Sequence, residues 1–293
     1  MSVKRYTLWR RKIRRWVAKF TLATVIFSLS CYVYASKIEP NWIEVVAIEL
    51  TIPQLDRAFD EFKIVQLSDL HVGKYMPEKR LDRIIELVNR QQADAIAITG
   101  DFISYGTNFN AKQLEQKLNL LQSKSAVLSV LGNHDHWAKK INLLEQTLQR
   151  SQVTNLDNQV YAIERGTERL FFAGLDDPYW GQPDLELVIS QLPINSTAIL
   201  LVHEPDYIEQ SAPTHDFVLQ LSGHSHGGQI KIPFLEPLIL PRGAKKYYAG
   251  LDRVEDTITY TNRGLGMTSL PFRLGSRPEI TVFTLHSAAY TAF

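Results

Sequence analysis

The stretch FVLQLSGHSHGGQ, residues 217–229, joins a short apolar run to a segment rich in histidine and glycine. A short apolar run that stops at a turn signal is typical of a buried β-strand. The two histidines are separated by one residue, and alternate side chains of an extended segment point to the same side. The spacing therefore predicts that His224 and His226 reach one metal site from the end of a strand.

Four more short apolar runs end in residues that can bind metal. Their ends read Asp69-Leu70-His71, Gly100-Asp101, Gly132-Asn133-His134-Asp135 and His203-Glu204. Because sites in open α/β sheets form beyond the carboxyl ends of strands, we expect all five segments to meet at one edge. Carboxylate, carboxamide and imidazole ligands without thiolate suit Mn, Fe, Zn or Mg. Asp101 is a lone carboxylate after a glycine, and one carboxylate can bridge two cations.

Helical periodicity alternates with these runs along most of the chain. Leucine and isoleucine recur at helical spacing over 77–92, 111–122 and 139–150. An extended segment is predicted at 41–52, a hairpin at 159–175 and late strands at 257–261 and 280–285. Strands that alternate with amphipathic helices indicate a layered α/β architecture, and we predict a single catalytic domain over 41–293.

The composition excludes several classes of protein. The chain has 293 residues, of which 22% are charged and 45% hydrophobic, as in ordinary globular proteins. The single cysteine, Cys31, excludes an intramolecular disulfide and a cysteine-based zinc site. Residues 1–19 carry eight of the 32 basic residues, which leaves 24 against all 31 acidic residues. This acidic body argues against a specific nucleic-acid partner.

The first 36 residues have the pattern of an export signal or a membrane anchor. A basic leader at 1–19, predicted to be cytoplasmic, precedes an uncharged apolar segment at 20–36. As a helix that segment would span about 25 Å, the short end for crossing a bilayer. Three interpretations stay open: an uncleaved signal anchor, a cleaved export signal, and a buried helix of a soluble protein. In the first two, the domain is extracytoplasmic.

Two local patterns bear on export. Val33 and Ala35 form a small-residue pair before Ser36 that a signal peptidase could accept. The run Arg14-Arg15-Trp16-Val17-Ala18-Lys19 resembles a twin-arginine export leader, although Val-Ala replaces the usual Phe-Leu pair.

Taken together, the five motifs resemble the calcineurin-like metallophosphoesterase superfamily, and especially its membrane-anchored or exported bacterial branch. That likeness includes KIVQLSDLH at 63–71, GHSHGGQ at 223–229, TNRGLG at 261–266 and RPEI at 277–280. It implies an α/β fold, a four-layer α-β-β-α sandwich, with an N-terminal transmembrane or signal helix. It also implies a site for two divalent metal ions (Mn, Fe, Zn or Mg).

The resemblance also implies a role for each motif residue. The first metal would take Asp69, His71, Asp101 and His226, and the second Asp101, Asn133, His203 and His224. His134 would be the catalytic acid, with Asp135 supporting it. Arg273 and Arg277, which lie among glycine and proline turns late in the chain, are candidates for binding substrate phosphate.

The function that follows is hydrolysis of phosphodiester or pyrophosphate bonds, with attack by hydroxide generated at the metals and His134 as general acid. The substrate would be a phosphate ester, either lipid-linked or a nucleotide, and segment 20–36 would bind the membrane. Three alternatives remain. One is a lipid A enzyme like UDP-2,3-diacylglucosamine pyrophosphatase, whose substrate is cytoplasmic. The second is a metal-binding membrane protein without turnover, and the third is a nuclease.

Overall fold

Two six-stranded mixed sheets form the body of the protein. The computed structural model describes residues 3–106, 109–232, 235–237 and 239–288. The strands are β1 (Glu44–Ile52), β2 (Phe62–Leu67), β3 (Ala95–Thr99), β4 (Ala126–Val130), β5 (Val153–Asn155), β6 (Gln159–Arg165), β7 (Glu168–Gly174), β8 (Ala198–Leu201), β9 (Leu219–Ser222), β10 (Gly250–Val254), β11 (Thr257–Thr261) and β12 (Glu279–Ser287). Their order is β1-β12-β2-β3-β4-β5 in one sheet and β10-β11-β9-β8-β7-β6 in the other.

Helices cover the outer face of each sheet. The α-helices are α1 (Val3–Val33), α2 (Glu78–Asn89), α3 (Ala111–Leu118), α4 (Asn133–Trp137), α5 (Ile141–Arg150), α6 (Leu185–Ser190) and α7 (Ile208–Ser211). Helices α2, α3 and α5 pack on the first sheet, and α6 packs on the second. A further core, which includes Ile64, Leu128 and Phe172, fills the space between the sheets. The predicted four-layer α-β-β-α sandwich is therefore confirmed.

Strand β3 illustrates why the central strands read as unbroken apolar runs. Ala95 and Ala97 belong to the core between the sheets, whereas Ile96 and Ile98 pack under the helices. Both faces of the strand are covered, so apolar residues occur at every position and not at alternate ones.

Most predicted elements are present, with shorter ends. The three predicted helices become α2, α3 and α5, and the predicted hairpin is the antiparallel pair β6 and β7. Its turn contains Gly166 at a φ of 65°. What the pattern did not predict is the position of β12, which inserts between β1 and β2 and pairs with β1 in parallel.

The N-terminal helix projects from this body and is exposed along its apolar stretch. Within the described part of the chain, Trp9–Asn41 is the one helix long and apolar enough to cross a membrane, and none of its apolar window is buried. The interpretation as a buried helix of a soluble protein is thus wrong. Helix α1 continues as a π-helical turn (Tyr34–Ile38) and a 3-10 turn (Glu39–Asn41), where Glu39 is buried.

Candidate metal centre

All seven predicted metal ligands lie together at one edge of the two sheets. They follow the carboxyl ends of β2, β3 and β4 in the first sheet and of β8 and β9 in the second. Each is at least nine-tenths buried. Side chains from both sheets converge because the strands end at the same rim.

Two clusters of ligand atoms at this edge correspond to the predicted metal sites, and a third group, His71, Asp101 and His134, overlaps them. In the first, the ligand atoms of Asp69, His71 and His226 all lie within 4.8 Å of one another. The Nε2 atoms of His71 and His226 are 3.1 Å apart, and His226 Nε2 lies 3.2 Å from Asp69 Oδ1. The second cluster consists of Asp101, His203 and His224.

Asp101 lies between the two clusters. Its Oδ2 atom is 3.4 Å from His71 Nε2 and 3.3 Å from His203 Nε2. The same carboxylate oxygen can therefore serve both clusters. Burial alone raises the Asp101 pKa, but the charge and hydrogen bond of His203 outweigh it, so the pKa lies well below its usual value. Asp101 is thus an anion at neutral pH.

Backbone carbonyls orient two of the histidines. His203 Nδ1 donates to the carbonyl of Thr99 at 2.7 Å, and His224 Nε2 donates to that of Arg242 at 2.9 Å. These bonds fix one ring proton on the side away from the cluster, so that the other nitrogen would be the electron-pair donor to a bound metal. Without a metal, burial lowers the His203 pKa but the charge of Asp101 outweighs it and raises that pKa well above its usual value. Burial, followed by the charge of His203, lowers the His224 pKa to about 4, which keeps that ring neutral.

Several buried acceptors in the clusters lack a hydrogen-bond partner. They are Asp69 Oδ1, Asn133 Oδ1 and His203 Nε2. Leaving a buried polar atom without a partner costs roughly 1–3 kcal/mol. Three such acceptors that converge with anionic oxygens fit divalent cations, so the donor set present here can hold metal.

The backbone of the ligand segments departs from the extended geometry that we expected. Asp69, His71, Asp101, His224 and His226 all have φ between 47° and 71°, in the left-handed region. Neither Asp-x-His nor His-x-His is therefore extended, and that prediction is wrong. The left-handed turns let two loops run side by side, since Asp69 N–H donates to the carbonyl of Gly100 and His71 N–H to that of Asp101. Non-glycine residues held in this region store strain, which proteins concentrate at functional sites.

Gly132 allows a close approach between loops at this site. A Cβ atom there would lie 2.5 Å from Asp101 Oδ1 and 2.8 Å from His203 Nε2. Its φ of −121° is ordinary, so the requirement for glycine arises from space and not from conformation.

His134 begins the short helix α4 beside these clusters. Its ring centroid lies 4.7 Å from that of His71 and 4.7 Å from that of Trp137. Burial lowers the His134 pKa, so the free ring is neutral at pH 7. The structure places this side chain at the cavity, within reach of a substrate.

Asp135 has a different position from the one implied for it. Its side chain is fully buried and accepts hydrogen bonds from the backbone N–H groups of Gly132, Phe102 and Ile103. These hydrogen bonds of its carboxylate come from the backbone of two loops and not from the ring of His134. Burial, aided by the charge of Asp101, raises the Asp135 pKa to about 7.

The cavity beside the metal clusters has a lining of mixed chemistry. Its volume is about 590 Å³. The lining includes the polar residues Asp101, Asn133, His134, His224 and His226 and the aromatic or aliphatic residues Tyr105, Trp137, Ile230, Ile239 and Leu270. The motifs predicted the polar residues, whereas the apolar ones were not predicted.

Neither of the two predicted phosphate-binding arginines lines this cavity. Arg273 is fully buried and donates to the carbonyls of Arg263, Gly264, Gly266 and Ser276. Its Nη2 atom also lies 3.3 Å from Nδ1 of His226, behind the metal ligands. Its guanidinium is therefore occupied by the fold and not open to substrate. Arg277 stacks over Trp42, with 3.7 Å from its guanidinium carbon to the ring centroid, and lines a separate cavity.

Sequence reasoning missed a pair of buried acids behind His203. Glu204 and Asp177 are both buried, and both carboxylate oxygens of Glu204 lack a hydrogen-bond partner. Burial raises the Glu204 pKa well above its usual value. The only available signal was the position of Glu204 directly after His203.

Comparisons with known proteins agree with this geometry. The calcineurin-like phosphoesterase family profile matches residues 62–228. The chain is 39% identical over 264 residues to the uncharacterized metallophosphoesterase YkuE of Bacillus subtilis, covering 87% of this chain and 90% of YkuE. It is 30% identical over 278 residues to phosphodiesterase YaeI of Escherichia coli, covering 93% and 98%.

A eukaryotic relative has a similar domain in a longer chain. The transmembrane protein with metallophosphoesterase domain of Danio rerio is 29% identical over 259 residues, which cover 84% of this chain and 58% of that protein. The family profile spans more than half of the present sequence, and its match includes every predicted metal ligand. The chain therefore belongs to the calcineurin-like phosphoesterase family and is a hydrolase of that family.

Proposed function

We propose that the protein hydrolyses phosphodiester or pyrophosphate bonds at a site for two divalent metal ions. The observation that carries the proposal is the position of Asp101 Oδ2, 3.4 Å from His71 and 3.3 Å from His203. One metal would be held by Asp69, His71, Asp101 and His226, and the other by Asp101, Asn133, His203 and His224. Divalent cations bound there would supply Lewis acidity, which acidifies water and neutralises the charge of a phosphate.

The protein residues divide the remaining work. Asp101 and Asp69 supply fixed negative charge, because histidine partners lower the pKa of both carboxyls despite their burial. His134 would donate a proton to the oxygen of the leaving group. A phosphate beside its ring favours the imidazolium form, since a nearby opposite charge raises a histidine pKa. Asp135 would position His134 by bracing the loops that carry it.

The choice of a diester over a monoester rests on a relative and on the shape of the cavity. YaeI is named a phosphodiesterase. The apolar residues in the cavity lining can also accommodate an organic substituent of a phosphate ester. A non-catalytic metal-binding protein is the alternative, and the presence of His134 at the cavity counts against it.

The test is metal content and turnover of the full chain, purified in detergent without chelator. Bis(p-nitrophenyl) phosphate and p-nitrophenyl phosphate would be compared, with Asp101→Asn as the site variant and Asp157→Asn as a matched buried carboxylate outside it. About two metals per chain, with diester turnover that Asp101→Asn abolishes, supports the proposal. Metal without turnover of either ester favours the binding protein. No metal, even with Mn²⁺ supplied, overturns the metal site.

We also propose that the N-terminal helix is retained as a signal anchor, with 1–19 in the cytoplasm and the domain outside. The support is that the body contacts the helix before its apolar segment ends, because Arg273 N–H donates to the carbonyl of Ala35 at 2.9 Å. N-terminal sequencing of the membrane-bound protein distinguishes this from a cleaved, twin-arginine-like leader. Protease access to the domain in intact cells tests its side of the membrane. A cytoplasmic domain would favour the lipid A enzyme instead.

A further inference from the structure

Exposed apolar side chains lie on the segments of chain that line the metal cavity and directly beside them. Four of them, Ile232, Leu235, Ile239 and Leu270, form what we name the apolar rim. They are 42%, 54%, 81% and 50% exposed, and Ile239 and Leu270 also line the cavity. Soluble surfaces rarely concentrate large apolar residues in this way, and such groups mark sites of interaction.

The rim is connected directly to the end of the N-terminal apolar segment. Phe272 packs edge-on against Tyr32, with ring centroids 5.6 Å apart, and the next residue, Arg273, bonds to Ala35. Leu270 is two residues from Phe272, so their Cα atoms are at most about 7 Å apart. The loop 268–274 therefore runs from the cavity wall to the helix.

Hydrogen bonds hold that loop in place on its cavity side. The Gln229 side chain donates to the carbonyls of Thr268 and Leu270 and accepts from the N–H of Thr268. The rim and the helix are thus parts of one ordered surface.

The contacts of Phe272 with Tyr32 and of Arg273 with Ala35 also determine where the apolar rim lies along the helix axis. Tyr32 and Ala35 belong to the uncharged segment 20–36, and exposed Ile38 and Trp42 follow just beyond it. Tyrosine and tryptophan are enriched where a membrane span meets water. If the segment spans the bilayer, the loop beside Tyr32 lies at the bilayer surface.

We propose that the apolar rim inserts into the bilayer surface and that the substrate is an amphipathic phosphate ester. Its apolar chain would lie along the rim while its phosphate reaches the metal clusters. This inference rests on the proposed phosphoesterase function and on retention of the helix. The two arms of the test are chosen so that a failure of either assumption can be told apart from a failure of the inference about the rim.

The first arm measures bilayer contact and needs neither metal nor turnover. Single cysteines replace Leu270, Ile239 or the control Ile194 (93% exposed) in a Cys31→Ser background, and each carries an environment-sensitive fluorophore. The full chain is reconstituted into phosphatidylcholine vesicles with brominated acyl chains. We expect quenching at positions 270 and 239 and none at 194. Unquenched labels at both rim positions overturn the inference, including the case in which another protein copy covers them.

The second arm measures preference for an apolar chain. p-Nitrophenyl methyl phosphate and p-nitrophenyl dodecyl phosphate are compared with wild type, with the double variant Leu270→Ser and Ile239→Ser, and with Ile194→Ser. We expect the wild type to have a higher kcat/KM for the dodecyl ester than for the methyl ester. In the rim variant the ratio of these two kcat/KM values should fall about tenfold. Ile194→Ser should keep it. Equal turnover of both esters overturns the inference and leaves the phosphoesterase standing, whereas quenching without any turnover refutes the proposed function alone.

Discussion

The backbone N–H of His134 donates a 2.8 Å hydrogen bond to Oδ1 of Asp101. The other oxygen of that carboxylate faces His71 and His203. The candidate acid is thus tied to the candidate bridging ligand through its main chain and not through its ring. Removing the ring should therefore leave the carboxylate where it is.

This separation makes His134→Ala a clean variant. We expect bound metal to stay at the wild-type amount while kcat for the diester falls roughly 10²–10⁴-fold, the usual contribution of a positioned acid. Elemental analysis and steady-state kinetics on one preparation measure both. His215→Asn, at an exposed histidine with a φ of 60°, is the control. Full activity of His134→Ala would remove it from the catalytic residues.

Gly132→Ala tests how closely the ligand loops must pack. The added methyl would lie 2.5 Å from Asp101 Oδ1, so the carboxylate must move. We expect loss of metal and of turnover with the far-UV circular dichroism spectrum unchanged. Gly166→Ala is the control: nothing lies within 4 Å of its Cβ, although its φ is 65°. That control should lose about 1 kcal/mol of stability and no metal. Wild-type metal affinity in Gly132→Ala would contradict the crowding argument.

The sequence predicted that the candidate ligand residues meet at one edge, because their segments follow buried strands. Asp69 and His203 follow apolar runs that are typical of buried strands, so their position at the sheet edge could be predicted from the sequence. The left-handed conformation at His224 could not be predicted, since it depends on loops that are distant in sequence. Arg273 shows the same limit. The charge of Arg273 suggested that it binds substrate phosphate. In the structure four backbone carbonyls surround its guanidinium, and only folding brings these carbonyls together.

Arg273→Lys should act on stability and on the position of His226, whose Nδ1 lies 3.3 Å from the guanidinium, and not on direct contact with substrate. Lysine cannot reach the carbonyls that the guanidinium satisfies, and a broken buried polar cluster costs about 3 kcal/mol or more. We expect a lower Tm by calorimetry, with KM unchanged for the protein that stays folded. Arg277→Lys, which loses only the stacking on Trp42, should cost less than about 1 kcal/mol. A raised KM without loss of stability would instead show that Arg273 contributes to substrate binding.

The titration of Asp157, which is not one of the metal ligands, should make the stability of the protein depend on pH. Burial, with the charge of Asp176 adding to it, raises the Asp157 pKa to about 7. In the unfolded chain an aspartate titrates near 3.9. Between these values the native state holds a proton that the unfolded state has lost, so stability falls as pH rises from about 4 to about 7. The full loss is about 4 kcal/mol.

Asp157→Asn removes that titration while an oxygen remains to accept from Leu131 N–H. We expect its free energy of unfolding to exceed that of wild type at pH 8 and to approach it near pH 4, as measured by urea denaturation. His136 and Asp176, which face Asp157, titrate in both proteins and cancel in the difference. A constant difference across this range would exclude Asp157 as its source.

The central place of β12 has a consequence for biogenesis. Residues 279–287 pair with β1 on one side and β2 on the other, so the first sheet cannot close until the last strand has left the ribosome. The helix that emerges first would engage the membrane while the body is still incomplete. A chain that terminates early would display two unpaired strand edges, which are templates for aggregation. Synthesis of β12 is therefore the event that commits this protein to its native first sheet.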